Sequence, residues 1–269
     1  MGGFDLIIKP DEDDVDVAEI LVDGSLEDKP YRFLLDTGAA RTSVVFDDYT
    51  SSFDSIEQHS SSGVFEAHHE DVIRVPAIDL GPIVKRDFPL VRMNPDHPSK
   101  TGLIGMDILK DFCFHFLFDQ NRVSIQQPAV PVADLSWQKL FLDQKFHPYI
   151  DVHFDTLTAR TVWDTGGGIT IADLTFIEKH SSYFQPIGQS QGTDPTGASM
   201  ETPIFMMAPT LIGGYAFPAH KIAGVDLSPV NATIEVPMDL ILGYTTLCQA
   251  HWLFDFPGKR WAISQRISS

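Results

Sequence analysis

The 269-residue chain is poor in cysteine, in cationic side chains, in helical signals and in long apolar runs. Each shortage narrows what the protein can be. Two cysteines, Cys113 and Cys248, are too few for a disulfide framework or a structural zinc site, and no CxxC pair occurs. Whether they pair with each other stays open at this level. Lys and Arg number 19 against 37 Asp and Glu, a net charge of −18. Such a surface favours solubility and argues against nucleic acid or an anionic membrane as partner. No stretch approaches the ~18 apolar residues that a membrane-spanning helix needs. The opening MGGFDLIIKPDEDD lacks the basic and apolar regions of a secretory leader, and Leu6 stands where a myristoylation signal requires Ser or Thr. The expectation is a cytoplasmic protein, or a periplasmic or secreted one if a leader was removed. With no HExxH pattern and no ligand cluster, neither a metal nor another cofactor is expected.

What the sequence does have is alternation. VAEILV (17–22), YRFLL (31–35), DVIRV (71–75), IDVHF (150–154) and ATIEV (232–236) alternate polar and apolar residues, and Gly, Pro, Asn and Asp separate such runs. Asp23-Gly24 and Pro257-Gly258 read as turns. This is the pattern of an all-β, hairpin-rich protein. Short helices are expected only at MDILKDF (106–112) and LTFIEKH (174–180).

The chain also repeats itself. FLLDTG ends at Gly38 and TVWDTG at Gly166, their aspartates 128 residues apart (164 − 36). Each is followed by a polar, glycine-containing hairpin, SSSGVF (60–65) or GTDPTGAS (192–199). Each then reaches an apolar-apolar-Gly element, Leu103-Ile104-Gly105 or Ile241-Leu242-Gly243, and closes on HFLFD (115–119) or HWLFD (251–255). The DTG aspartate and the closing aspartate are 83 residues apart in one copy (119 − 36) and 91 in the other (255 − 164). Two copies of one β-rich unit are therefore present, residues 1–127 and 136–269. The proline-bearing segment 128–135 is the expected linker.

A lone DTG is usually a turn. Here each follows buried-type apolar residues, each is trailed by a small residue, and the whole order occurs twice. A duplicated unit packs about a pseudo-twofold axis, which would bring Asp36 beside Asp164. Two adjoining carboxylates cannot both ionise cheaply and share one proton. One can then take a proton from a water while the other donates to a carbonyl, hydrolysing an amide by general acid–base catalysis. Thr37 and Thr165 would lock the two loops through hydroxyl-to-backbone bonds, and Gly38 and Gly166 would free backbone N–H groups for the carboxylates.

These residues resemble the aspartic peptidases, whose signature is apolar-apolar-Asp-Thr/Ser-Gly followed at a distance by apolar-apolar-Gly. FLLDTGA, GLIGMDIL and FLFD are similar to a small retropepsin-type unit, and the single-chain double copy resembles pepsin's two-lobed plan. The resemblance implies two β-barrel-like lobes related by a pseudo-twofold axis. It also implies a catalytic pair Asp36 and Asp164, and an extended peptide or protein substrate bound by a monomer. It suggests a flap over the cleft at Gly63, Val64 and Phe65, with Gly192 and Gly197 in a second flap or a plain surface hairpin. Where pepsin-like enzymes carry Ser or Thr after the glycine, Ala39 and Gly167 stand here. Loss of a hydroxyl that would favour the ionised carboxylate predicts an optimum near pH 4 to 6.5, roughly the range of a raised carboxylate.

Other features read as structural. His68-His69-Glu70-Asp71 alternates faces if it is a strand, and His115 and His251 precede core strands in both copies. Asn231-Ala232-Thr233 fits a glycosylation sequon that matters only in a glycosylating compartment. DEDDVD (11–16) reads as an exposed loop. Two alternatives stand beside the peptidase: a peptide-binding module with the same fold that has lost hydrolysis, and a metal-dependent hydrolase.

Overall fold

A computed structural model describes residues 2–62, 67–97, 99, 101–126, 135–193 and 199–267. It is all-β, with three sheets of eight, ten and six strands and a few helical turns. The eight-stranded sheet lies within residues 7–104 and the ten-stranded sheet within 141–242. They form two barrel-like lobes built on one plan. In the first, Lys29–Leu35 pairs antiparallel with Ala18–Leu26 and parallel with Gly102–Ile104. In the second, Thr158–Trp163 pairs antiparallel with Pro148–His153 and parallel with Leu240–Leu242. Parallel neighbours need a long crossover between them. In both lobes that crossover carries a hairpin, Ser55–Ser62 with Ala67–Leu80 and Phe184–Thr193 with Ser199–Met207.

The third sheet belongs to both copies. Its order runs Gly3–Asp5, Arg122–Gln126, Cys113–Leu117, Ala250–Asp255, Arg260–Arg266, Gln138–Lys139. At its centre the repeated closing strands pair antiparallel, Phe114 opposite Phe254 and Phe116 opposite Trp252. Large aromatics from the two halves interlock there. Trp163 lies 4.4 Å from Phe254 and 4.8 Å from Phe116, ring centre to ring centre, and all three are fully buried. Deleting one such ring typically costs ~3–5 kcal/mol, so the residue preceding Asp164 is anchored in the firmest part of the molecule.

Helices form at Met106–Leu109 and Leu174–Lys179, within the expected segments, and also at Ser228–Asn231 and Tyr244–Leu247. Two sequence expectations are corrected. Asp23-Gly24 is not a turn but lies inside Ala18–Leu26, and the chain reverses at Glu27-Asp28, where Glu27 takes φ 51°. Residues 232–236 form no strand. Their apolar members serve packing instead: Ile234 and Val236 cover a small cluster of Tyr149, Val162 and Ile241. The sequon asparagine is occupied in the same segment, since Asn231 Nδ2 donates to the Met238 carbonyl at 3.0 Å and Oδ1 accepts its N–H at 2.9 Å. No helix among the described residues is long and apolar enough to cross a membrane. Residues 127–134, most of the expected linker, lie outside the described residues.

Candidate active site

Each DTG aspartate stands one residue past a buried strand, where the chain must leave the sheet. Its N–H stays in the ladder: Asp36 donates to the Ile104 carbonyl and Asp164 to the Leu242 carbonyl, both at 3.0 Å. The loops beyond are then tied to the apolar-apolar-Gly element. Met106 N–H donates to Ala39 O and Tyr244 N–H to Gly167 O, each at 2.8 Å. Gly105 N–H donates to Thr42 Oγ1 at 3.0 Å and Gly243 N–H to Thr170 Oγ1 at 3.1 Å. Thr42 and Thr170 keep the 128-residue offset of the aspartates, so the repeat carries a signal for them that the motif alone does not. The lobes differ one step further out. Asp107 accepts from the Thr42 N–H and hydroxyl, whereas Thr245, at its place in the second lobe, accepts the Thr170 N–H at 3.0 Å.

The two loops meet at the junction. Thr37 Oγ1 donates to the Trp163 carbonyl at 2.9 Å and accepts the Thr165 N–H at 3.1 Å, while Thr37 N–H donates to Thr165 Oγ1 at 3.1 Å. Both threonines are buried. Each loop thus completes the hydrogen bonds of the other, which holds the aspartates in register without a covalent link.

The carboxyls converge on shared donors. Gly38 N–H points at Asp36 Oδ1 (2.9 Å) and at Asp164 Oδ1 (3.0 Å) together. Ala39 N–H adds a bond to Asp36 at 2.8 Å, and Gly166 N–H adds one to Asp164 at 2.8 Å. Only glycine fits beside the carboxyls, because of close approach. A Cβ on Gly38 would meet Asp164 Oδ2 at 2.7 Å, and one on Gly166 would meet Asp36 Cγ at 2.5 Å. Burial pushes the Asp36 carboxyl well above the ordinary value and the neighbouring charge of Asp164 adds to it, against the pull of the Ala39 and Gly38 amides. Asp164 is raised too, again first by burial, with the amides of Gly166 and Gly38 opposing. Two carboxyls this close, one buried and one half-buried, resist double ionisation.

Of the residues expected in flaps, Gly63, Val64, Phe65 and Gly197 lie outside the described residues. Gly192 is on the Phe184–Thr193 strand opposite Met200. The two hairpins hold equivalent places in their sheets and share a detail the sequence did not suggest. Each outer strand has a bulge near its start, leaving Ile56 and Ile187 unpaired and half exposed.

The repeated histidines are on the shared sheet, their rings 6.0 Å apart. His115 bonds Ser264 and His251 bonds Asp119. Burial, then the facing His251, pushes His115 down to about 4. Cys113 and Cys248 are both free thiols. Among the described residues no three His, Cys, Asp or Glu side chains gather as a metal site. Two surface hollows lie in the second half, one beside Asp151, His153 and Trp261 and one beside Phe141, Tyr149 and Arg160; neither includes the aspartates.

Residues 22–108 match a family model described as aspartyl protease. That span contains the first DTG and its apolar-apolar-Gly partner. No curated protein gives a significant match to the chain.

Proposed function

With residues 22–108 forming an aspartyl protease family domain, we propose that the protein is an aspartic endopeptidase whose catalytic residues are Asp36 and Asp164. The observation that carries this is the single Gly38 N–H aimed at one oxygen of each carboxyl. That geometry suits a water held between the pair. The ionised carboxyl takes a proton from the water as it attacks the scissile carbonyl carbon, and the protonated one donates to the carbonyl oxygen. The tetrahedral intermediate then collapses, with the amine leaving as it is protonated. Neither metal nor covalent intermediate enters.

The equivalence of the two hairpins supports a retropepsin-like double unit with two flaps. An extended peptide would add its backbone between them, as a strand adds to a sheet edge. The protein would act as a monomer, since one chain supplies both aspartates. Burial of the pair and the absence of a hydroxyl after either glycine support an optimum at about pH 4 to 6.5; a profile peaking near pH 2 overturns that part of the reading.

Cleavage of an unfolded protein substrate by wild type, Asp36→Asn and Asp164→Asn tests the assignment. Loss of at least ~10³-fold in kcat/KM, the scale on which catalytic carboxylates act, is expected for both variants, with unfolding temperatures no lower than that of wild type. Pepstatin should inhibit and EDTA should not. Wild-type rates in either variant refute the pair, and an inert wild type that still binds peptides favours the binding-module reading.

A further inference from the structure

The pseudo-twofold axis makes Asp36 and Asp164 equivalent, yet general acid–base hydrolysis needs them unequal. We propose that His147, held by Asp143, is a positioning residue that keeps the negative charge on Asp164 and the shared proton on Asp36. The inference rests on the peptidase reading above and asks which carboxyl plays which part.

Strand register supplies the geometry. In the second lobe Tyr149 pairs with Val162. That is the last pair of the ladder, and two residues beyond it on the two strands stand His147 and Asp164 (149 + 162 = 147 + 164). In the first lobe Leu21 and Leu34 are likewise the last pair, and the same step reaches Glu19 and Asp36 (21 + 34 = 19 + 36). His147 and Glu19 are themselves 128 apart, the offset of the aspartates. Two equivalent positions at the start of the strands beside the aspartates thus carry an imidazole in one lobe and a carboxylate in the other.

The two are held very differently. His147 is buried, its Nδ1 2.7 Å from Asp143 Oδ2, and Asp143 Oδ1 accepts the N–H groups of Lys145 and His147 at 2.9 Å. Asp143 stays below the ordinary carboxylate value; burial works against this, and the bond and charge of His147 outweigh it. Glu19 is exposed and paired with Lys9 at 2.8 Å. The fixed, dehydrated partner therefore acts more strongly, because a buried charge is screened less than an exposed one. Asp164 feels it: among the influences opposing the upward push of burial is the positive charge of His147. The charged and titratable groups around this turn are Asp143, Lys145, Tyr149 and Asp164. Lys110, whose Nζ sits 5.1 Å over the Phe146 ring, and Arg160 and Glu235, whose charges act on Tyr149, lie around it as well.

The test is the pH dependence of kcat/KM. In His147→Asn the amide Nδ2 stands near the place of Nδ1, so the bond to Asp143 is kept and the charge is lost. The acidic limb, set by ionisation of the pair, should move up by about 0.5–1 pH unit, the scale of one charge a few ångströms away at an effective dielectric near 20. His147→Arg retains a positive charge and should leave the limb at its wild-type position. Glu19→Gln is a surface change that folds regardless, and it should lower the alkaline limb by about 0.3 unit, as suits an exposed charge. A folded His147→Asn with an unmoved acidic limb overturns the proposal. If that variant does not fold, an alkaline limb unmoved in Glu19→Gln overturns it instead. Failure of the peptidase reading looks different: the wild type would then be inert, or Asp164→Asn would cleave at the wild-type rate.

Discussion

Gly166→Ala adds one methyl group to the surface that holds the proton-sharing pair. The new Cβ would lie 2.5 Å from Asp36 Cγ and 2.7 Å from both of its oxygens. Ordinary contact begins at 3.4 Å, so carboxyl and loop must part by 0.9 Å (3.4 − 2.5). Neither can yield easily. Asp36 is fixed by the Gly38 and Ala39 amides, and Gly166 adjoins the Thr37–Thr165 lock. A displacement of ~1 Å among reacting groups costs on the order of 100-fold, which is about 2.7 kcal/mol of transition-state stabilisation. Overpacking adds about 1–3 kcal/mol to the cost in stability. The control is the next residue. A Cβ on Gly167 meets nothing nearer than Gly243 Cα at 3.4 Å, so Gly167→Ala should cleave and unfold like wild type. Steady-state cleavage at weakly acid pH and thermal unfolding of the three proteins decide the matter. Equal activity in Gly166→Ala and Gly167→Ala would refute the claim that close approach to the aspartates is what demands glycine.

The paired carboxyls should also weaken the fold at neutral pH. Both are raised in the folded state, so the folded protein binds a proton that the unfolded chain releases above about pH 4. Their stabilising share is fully present below that pH and is lost as pH rises through the folded value. Asp36→Asn cannot titrate, and calorimetry should find it unfolding above wild type at pH 7, with the gap closing toward pH 4. Thr37→Val would leave the buried Trp163 carbonyl and Thr165 N–H without their cross-junction partner, at about 1–3 kcal/mol for each group. Its unfolding temperature should fall by several degrees and Thr37→Ser should restore it; an unchanged Thr37→Val would mean that the lock carries no stability.

Much of the site was legible because a duplication prints its symmetry in the sequence. Two DTG triplets, two apolar-apolar-Gly elements and two closing HxLFD strands fixed which loops had to meet. Thr42 and Thr170 were readable by the same offset once the repeat was aligned. The errors came from local pattern. Asp23-Gly24 has turn composition, yet pairing of Gly24 with Tyr31 carries the strand on to Leu26. Residues 232–236 alternate like a strand, but burial of Ile234 and Val236 against Tyr149 and Val162 needs no ladder. His147 was invisible for another reason. Its place beside Asp164 is a matter of strand register, which spacing along one chain does not reveal until the hairpin is formed.

The interleaved central sheet governs when the two aspartates can meet. Cys113–Leu117 finds its second neighbour only in Ala250–Asp255, and Asp36 meets its counterpart only across the same junction. A ribosome that has made Asp36 must still add 219 residues (255 − 36) before that sheet can close, roughly 10–45 s at ordinary elongation rates. During that interval the growing chain holds half of a proton-sharing pair. On the proposed peptidase reading, self-digestion of the growing chain is deferred by topology until the last strands leave the tunnel.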